Sequence, residues 1–117
     1  MMPIKGEVWN VRLDPTQGHE QGKTRPCVII SNDQMNTKMH LSIVVPLTRK
    51  ARYTKSGSLS PIMVHISGNE GGLDKDIYSL AFQVRTVSHS RFAHKRGILS
   101  PTKLLEVVRS VQDIINF

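Results

Sequence analysis

The stretch from Ser100 to the C-terminus differs in kind from everything before it. Leu104, Val107, Val108, Val111, Ile114 and Ile115 recur at helical spacing. Ser100 supplies an N-cap, and Pro101 fits the first helical position, where its missing N–H costs nothing. Upstream the apolar pattern has another period. Glu7 to Leu13 alternates Trp9, Val11 and Leu13 against Asn10 and Arg12, as in a strand with one buried face. Pro26 to Ser31 is an unbroken apolar run, the pattern of a strand covered on both faces. Leu41 to Leu47 is rich in β-branched residues, Ile62 to Ile66 reads as a short strand, and Ile77 to Val87 as one or two more with a bend. Several short strands followed by one terminal helix predict a mainly β chain with α. The expected form is a small, partly open antiparallel β-barrel whose open side the C-terminal helix covers. Residues 1–117 should form a single domain with one core.

Connections and charge narrow the function. Asp14-Pro15-Thr16-Gln17-Gly18 breaks the first strand, and the loop continues through Gly22, longer than most simple connections. After Thr48, the stretch from Arg49 to Gly57 has no apolar periodicity. It carries Arg49, Lys50, Arg52 and Lys55 around Tyr53, a basic connection with one stacking platform that suits a single-strand binding groove, or simply a solvated loop. Sixteen Lys and Arg against nine Asp and Glu give a net charge of +7, which favours a polyanionic partner but equally suits a merely soluble basic surface. Cys27, the single cysteine, lies in an apolar run, so no intrachain disulfide forms and a buried, inert thiol is expected. The sequence has no His-Glu-x-x-His, no Cys-x-x-Cys and no carboxylate cluster. His89 and His94 fall in an expected loop, so neither a metal nor another cofactor is expected. With no signal-peptide pattern and no apolar run long enough for a membrane span, the expected location is the cytoplasm, without a membrane partner.

Three N-terminal blocks carry a resemblance: Lys5-Gly6-Glu7-Val8-Trp9, Leu13-Asp14-Pro15-Thr16-Gln17-Gly18-His19-Glu20-Gln21, and Thr24-Arg25-Pro26-Cys27-Val28-Ile29-Ile30-Ser31. Val44-Val45-Pro46-Leu47-Thr48, Gln83-Val84-Arg85-Thr86-Val87 and Gly97-Ile98-Leu99-Ser100 follow in order. Together they resemble the MazF/PemK toxins from about Lys5 to the final helix, and ordered blocks over nearly a whole chain are far more specific than one motif. The resemblance implies an SH3-like, partly open barrel that forms a homodimer. It implies sequence-specific cleavage of single-stranded RNA, such as mRNA, and silencing by a cognate antitoxin, for which an acidic, flexible segment is expected. It also implies catalytic roles for Arg25 and Thr48, with His19 and Glu20 on the neighbouring loop. Lys23, Arg49, Lys50, Arg52, Tyr53, Gln83 and Arg85 are the RNA-binding candidates. Some relatives place Asp and Arg just before the position of Gln83, where this chain has Leu80, Ala81 and Phe82. The Arg25 and Thr48 scheme is therefore the better match.

The chemistry suits these residue types. RNA cleavage by the neighbouring 2′-OH needs a base for that proton, a cation for the charged phosphorane and a proton for the leaving 5′-oxygen. A guanidinium stays charged and binds two phosphate oxygens. Read alone, Arg25 fits either phosphate binding or an ion pair with Glu20 or Asp14; the resemblance favours the first. Thr48 fits a phosphate-binding hydroxyl or a satisfied turn residue. Either His19 or Glu20 could be the base. Gln83 and Arg85 are expected on one strand face beside the site. Two other functions share these features: a gyrase-inhibiting barrel toxin and a non-catalytic RNA-binding module.

Overall fold

The computed structural model describes residues 2–14, 17–20 and 23–116. Pro15, Thr16, Gln21 and Gly22, assigned above to the loop after the first strand, lie outside the described residues. The elements are β1 (Glu7–Arg12), β2 (Thr24–Ile29), α1 (Asp33–Met39), β3 (Leu41–Thr48), β4 (His65–Ile66), β5 (Ile77–Ser79), β6 (Arg85–Ser88), β7 (Phe92–Ile98) and α2 (Pro101–Ile115). Single-turn 3-10 helices span Ala81–Gln83 and His89–Arg91.

All strand pairs are antiparallel, in the order β4-β5-β3-β2-β1-β7, with β6 also on β3. The outer edge of β3 is shared: Leu41 to Val44 pair with β6, and Leu47 and Thr48 pair with β5. Pro46 falls at the changeover, where its carbonyl accepts from Leu80 N–H at 2.9 Å. Its missing N–H would point the same way, into the gap between β6 and β5, so no ladder bond is forfeited. This split curls the sheet into a half-barrel.

Successive residues face two cores. Val8, Val28, Val45 and Leu47 pack with Ile66, Leu99 and the α2 residues Val107 and Val111. Trp9, Val11, Cys27, Ile29 and Val44 pack on the other side with Leu13, Val87 and Phe92. The C-terminal helix therefore closes one face of the sheet, as expected, capped by Ser100 accepting from Lys103 N–H. Each valine it buries contributes about 1.5 kcal/mol or more. The double covering predicted for β2 is found, and β1 shares it, since Val8 is as buried as Val11. Cys27 is fully buried, and burial pushes its thiol up to about 12, which makes it inert.

Two expectations need correction, and one helix goes beyond them. The sequence pattern contains no signal for α1; it forms because Asn32 accepts from Met35 N–H at its start and His40 adopts the left-handed conformation at its end. His94 lies in β7 rather than a loop, and His89 in a 3-10 turn. β7 is an edge strand with four of its seven residues charged, polar or glycine, so it has no apolar signal; pairing with β1 creates it. The strand expected over Ile62 to Ile66 shrinks to His65 and Ile66.

Candidate active site

The N-terminal end of β2 and the C-terminal end of β3 lie side by side. Cys27 pairs with Pro46 at the end of that ladder, and two residues beyond on each strand stand Arg25 and Thr48. Both line a cleft of about 530 Å³. Around it stand Arg49, Lys50, Arg52, Lys75 and Arg96, with Asp74 the one carboxylate among the described residues of its lining. Arg49 meets Asp74 at 4.0 Å with both side chains exposed, an ion pair worth little in water. The cleft is strongly cationic.

Thr48 is half-buried, and its hydroxyl oxygen accepts from Lys50 N–H at 3.2 Å. The hydroxyl proton can therefore be aimed into the cleft, toward a phosphate oxygen. Arg25 is half-buried too, held on β2 opposite Val11 of β1.

A second recess, of about 300 Å³, is lined by His19, Glu20, Pro46, Phe82, Gln83, Val84 and Arg85. His19 and Glu20 are exposed. Glu20 Oε1 accepts from Gln17 N–H at 2.8 Å, which fixes the carboxylate within its turn. Gln83 donates its amide to the His19 carbonyl at 3.2 Å, and Arg85 donates to the Leu13 carbonyl at 3.2 Å. These bonds tie the loop after β1 to the far side of the sheet. The two recesses are linked by Arg52, which lines the first while its guanidinium stands 5.4 Å over the ring of Phe82 in the second.

The sequence-derived candidates thus divide. Arg25, Thr48, Arg49, Lys50 and Arg52 share the first cleft; His19, Glu20, Gln83 and Arg85 share the second. Gln83 and Arg85 do not share a strand face, because the 3-10 turn ends at Gln83 and β6 begins only at Arg85; they converge through the turn instead. Lys23 is exposed outside both linings, its carbonyl accepting from Leu13 N–H at 2.8 Å to close the loop's base. Tyr53, also outside them, is 64% exposed. Leu80 and Ala81 are buried and Phe82 lies under Arg52, so the charged pair that some relatives carry there has no counterpart.

Sequence reasoning missed Lys75 and Arg96. They reach the cleft because the 71–72 turn presses on β7: a Cβ at Gly72 would lie 1.7 Å from the Arg96 carbonyl oxygen, and one at Gly97 2.5 Å from the Gly71 carbonyl carbon. The glycines flanking these residues, at Gly71-Gly72 and Gly97, were the only available signal.

Residues 4–115 match the family described as PemK-like, MazF-like toxin of type II toxin-antitoxin system. An endoribonuclease MazF of Staphylococcus saprophyticus is 36% identical over 110 residues, covering 94% of this chain and 88% of that protein. Among solved structures, MazF from Deinococcus radiodurans superposes with a TM-score of 0.84 at 24% identity, covering 100% of this chain and 99% of that one. An endoribonuclease in complex with its cognate antitoxin, from a mycobacterial species, gives 0.76 at 18% identity, covering 98% and 96%. A family match over nearly every residue, a relative at more than a third identity and a shared half-barrel agree: the chain belongs to the PemK-like, MazF-like toxins of type II toxin–antitoxin systems.

Proposed function

We propose that this chain is a metal-independent, sequence-specific endoribonuclease that cuts single-stranded RNA, mRNA in particular, and leaves a 2′,3′-cyclic phosphate and a 5′-hydroxyl. The observation that carries this reading is the convergence of Arg25 and Thr48 from adjacent strand ends onto one cationic cleft. Arg25 binds the non-bridging oxygens and stabilises charge that grows in the phosphorane. Thr48 donates to the same phosphate. Glu20 or His19, across the Arg52 bridge, takes the 2′-OH proton, and as the P–O5′ bond breaks the leaving 5′-oxygen takes a proton from water to become the 5′-hydroxyl. The attacking oxygen belongs to the RNA, so none of these steps calls on a metal. Arg49, Lys50, Arg52 and Lys23 neutralise flanking phosphates, Tyr53 stacks on a base, and Gln83 and Arg85 hold the strand in the second recess.

The family span of residues 4–115 supports reading the chain as one domain. The open edge at β7, with Ile98 57% and Leu105 48% exposed, supports a homodimer in which two copies cover apolar surface and align their clefts. The cationic cleft is also the surface an acidic, flexible antitoxin segment would cover, in competition with RNA. Its place of action is the cytoplasm, where mRNA is found. Among the described residues no helix is long and apolar enough to cross a membrane.

Incubation with a mixed-sequence RNA in excess EDTA, followed by end-group analysis, tests this. The expected products carry the cyclic phosphate and 5′-hydroxyl, and a 2′-deoxy nucleotide before the cut abolishes cleavage. RNA binding with no new ends would instead indicate a binding module, and loss of gyrase activity without RNA cleavage would indicate a gyrase inhibitor.

A further inference from the structure

Thr48 pairs with Tyr78 across β3 and β5, and Tyr78 pairs with His65 across β5 and β4. Directly opposed antiparallel residues share a face, so Thr48, Tyr78 and His65 form a row across the sheet. Their neighbours Leu47, Ile66 and Ile77 point the other way, into the core under α2. The row is not buried. Tyr78 is half-buried, and the His65 side chain is 43% exposed.

The two rings are nonetheless held in place. Their centroids lie 5.3 Å apart with planes inclined at 33°. His65 Nε2 lies 3.2 Å from Asp76 Oδ2, and Asp76 Oδ1 accepts from Gly68 N–H at 2.8 Å. Asp76 thus holds the imidazole from its edge, while the ring lies against Tyr78. Partial burial, helped by the Tyr53 hydroxyl and the Asp76 carboxylate, pushes the Tyr78 phenol above its ordinary value, so it stays a neutral donor. A strand of two residues has little packing reason to present an oriented imidazole outward. Neighbouring strands are about 4.8 Å apart, so the rings begin one and two steps beyond Thr48, a span suited to a nucleotide flanking the bound phosphate.

We propose that His65 and Tyr78 form a nucleobase-stacking subsite, flanked by Tyr53, that holds one base next to the scissile phosphate and contributes to sequence choice. This rests on the endoribonuclease reading. Stacking on an aromatic ring is tolerant of base identity, and Asp76 and the Tyr78 hydroxyl supply the acceptor and donor that would distinguish one base edge from another.

The experiment is an abasic walk: a cleavable RNA oligonucleotide with one abasic nucleotide placed at each position in turn, cut by wild type, Tyr78→Leu, His65→Leu and Tyr78→Phe under single-turnover conditions. Wild type should lose about tenfold or more at one position flanking the cut. Tyr78→Leu should lose a similar factor on intact RNA and be indifferent to the abasic nucleotide at that position, while Tyr78→Phe, which keeps the ring, should retain the penalty. His65→Leu, on the short outer strand, gives the same reading should Tyr78→Leu fail to fold. An abasic penalty unchanged from wild type in the folded leucine variants overturns the subsite while leaving the nuclease intact. A wild-type protein that cuts no RNA overturns both.

Discussion

Cys27 and Pro46 face each other at the end of the β2–β3 ladder, and two residues beyond them on each strand Arg25 and Thr48 line one cleft. The apolar pair is buried and fixes the register; the polar pair inherits its placement at the cleft. Replacing either candidate side chain should therefore leave the Cys27–Pro46 pairing in place, so these substitutions probe the proposed chemistry.

The basic loop should act on binding more than on chemistry. Lys50→Ala and Arg52→Ala are expected to weaken RNA affinity and to reduce the slope of log K against log salt by about 0.7 for each phosphate left without its cation, with a smaller effect on the single-turnover rate. Arg52 also stacks on Phe82, so its removal should disturb binding more than that of Lys50. Filter binding across a salt series would decide the matter; an unchanged slope in both variants would remove the loop from the RNA path.

Gly72 is expected to tolerate no side chain. Its φ is +73°, and an added Cβ would collide with the Arg96 carbonyl, backbone against backbone. Gly72→Ala should cost roughly 2–4 kcal/mol and displace the wall that carries Lys75. Chemical denaturation would register this as a lower midpoint, and a midpoint equal to wild type would contradict the close approach.

Acid should destabilise the protein in two separable windows. His89 is buried, and burial first, then the nearby His40, lower its affinity for a proton, with a backbone hydrogen bond to Leu41 pulling weakly the other way. The Ser42 hydroxyl bridges the ring to the buried Asn36, 2.9 Å from His89 Nε2 and 2.7 Å from Asn36 Oδ1. The unfolded chain takes up that proton near the ordinary value of 6.5 and the folded one only at lower pH, so this stability is present above about 6.5 and is lost as pH falls. Glu7 adds a lower window. Burial raises its carboxyl, but hydrogen bonds from Lys95, Trp9 and the Ile4 N–H outweigh that and hold it below 4.5, so its contribution is lost only below about 4.5. Denaturant midpoints measured from pH 7 to 3 should fall in both ranges, and His89→Gln should flatten the upper one alone.

Much of this was legible in the sequence, and the failures share a cause. The C-terminal helix shows its period because one face packs on the sheet, and the strands carrying Arg25 and Thr48 show as apolar runs because they build both cores. β7 has no such signal, since it is an edge recruited by β1, and α1 is a short capped turn with only Asn36 buried. Lys75, Arg96, Tyr78 and His65 are remote from Thr48 in sequence and join it only through sheet pairing and the close approach at Gly72. Period-two reasoning placed Gln83 and Arg85 on one strand, whereas the need to step from β5 to β6 around Pro46 put a 3-10 turn there.

Inhibition should follow from charge. An acidic antitoxin segment covering the cleft would compete with RNA and bind more weakly as salt rises. Competition measured by fluorescence anisotropy, with light scattering to follow the expected dimer at micromolar concentration, addresses both. Simultaneous binding of inhibitor and RNA, or a monomer cleaving at full rate, would contradict this arrangement.

The proposed role of Arg25 is to stabilise charge that develops as RNA is cut. Its direct test is the single-turnover cleavage rate of Arg25→Ala against wild type at saturating RNA, alongside the Kd of each for an uncleavable 2′-deoxy analogue. The rate should fall by at least about a hundredfold while Kd rises only severalfold, because the interaction removed is one that strengthens in the transition state. Thr48→Ala should follow with a smaller loss. An Arg25→Ala protein that binds more weakly yet cuts bound RNA at the wild-type rate would contradict the assignment.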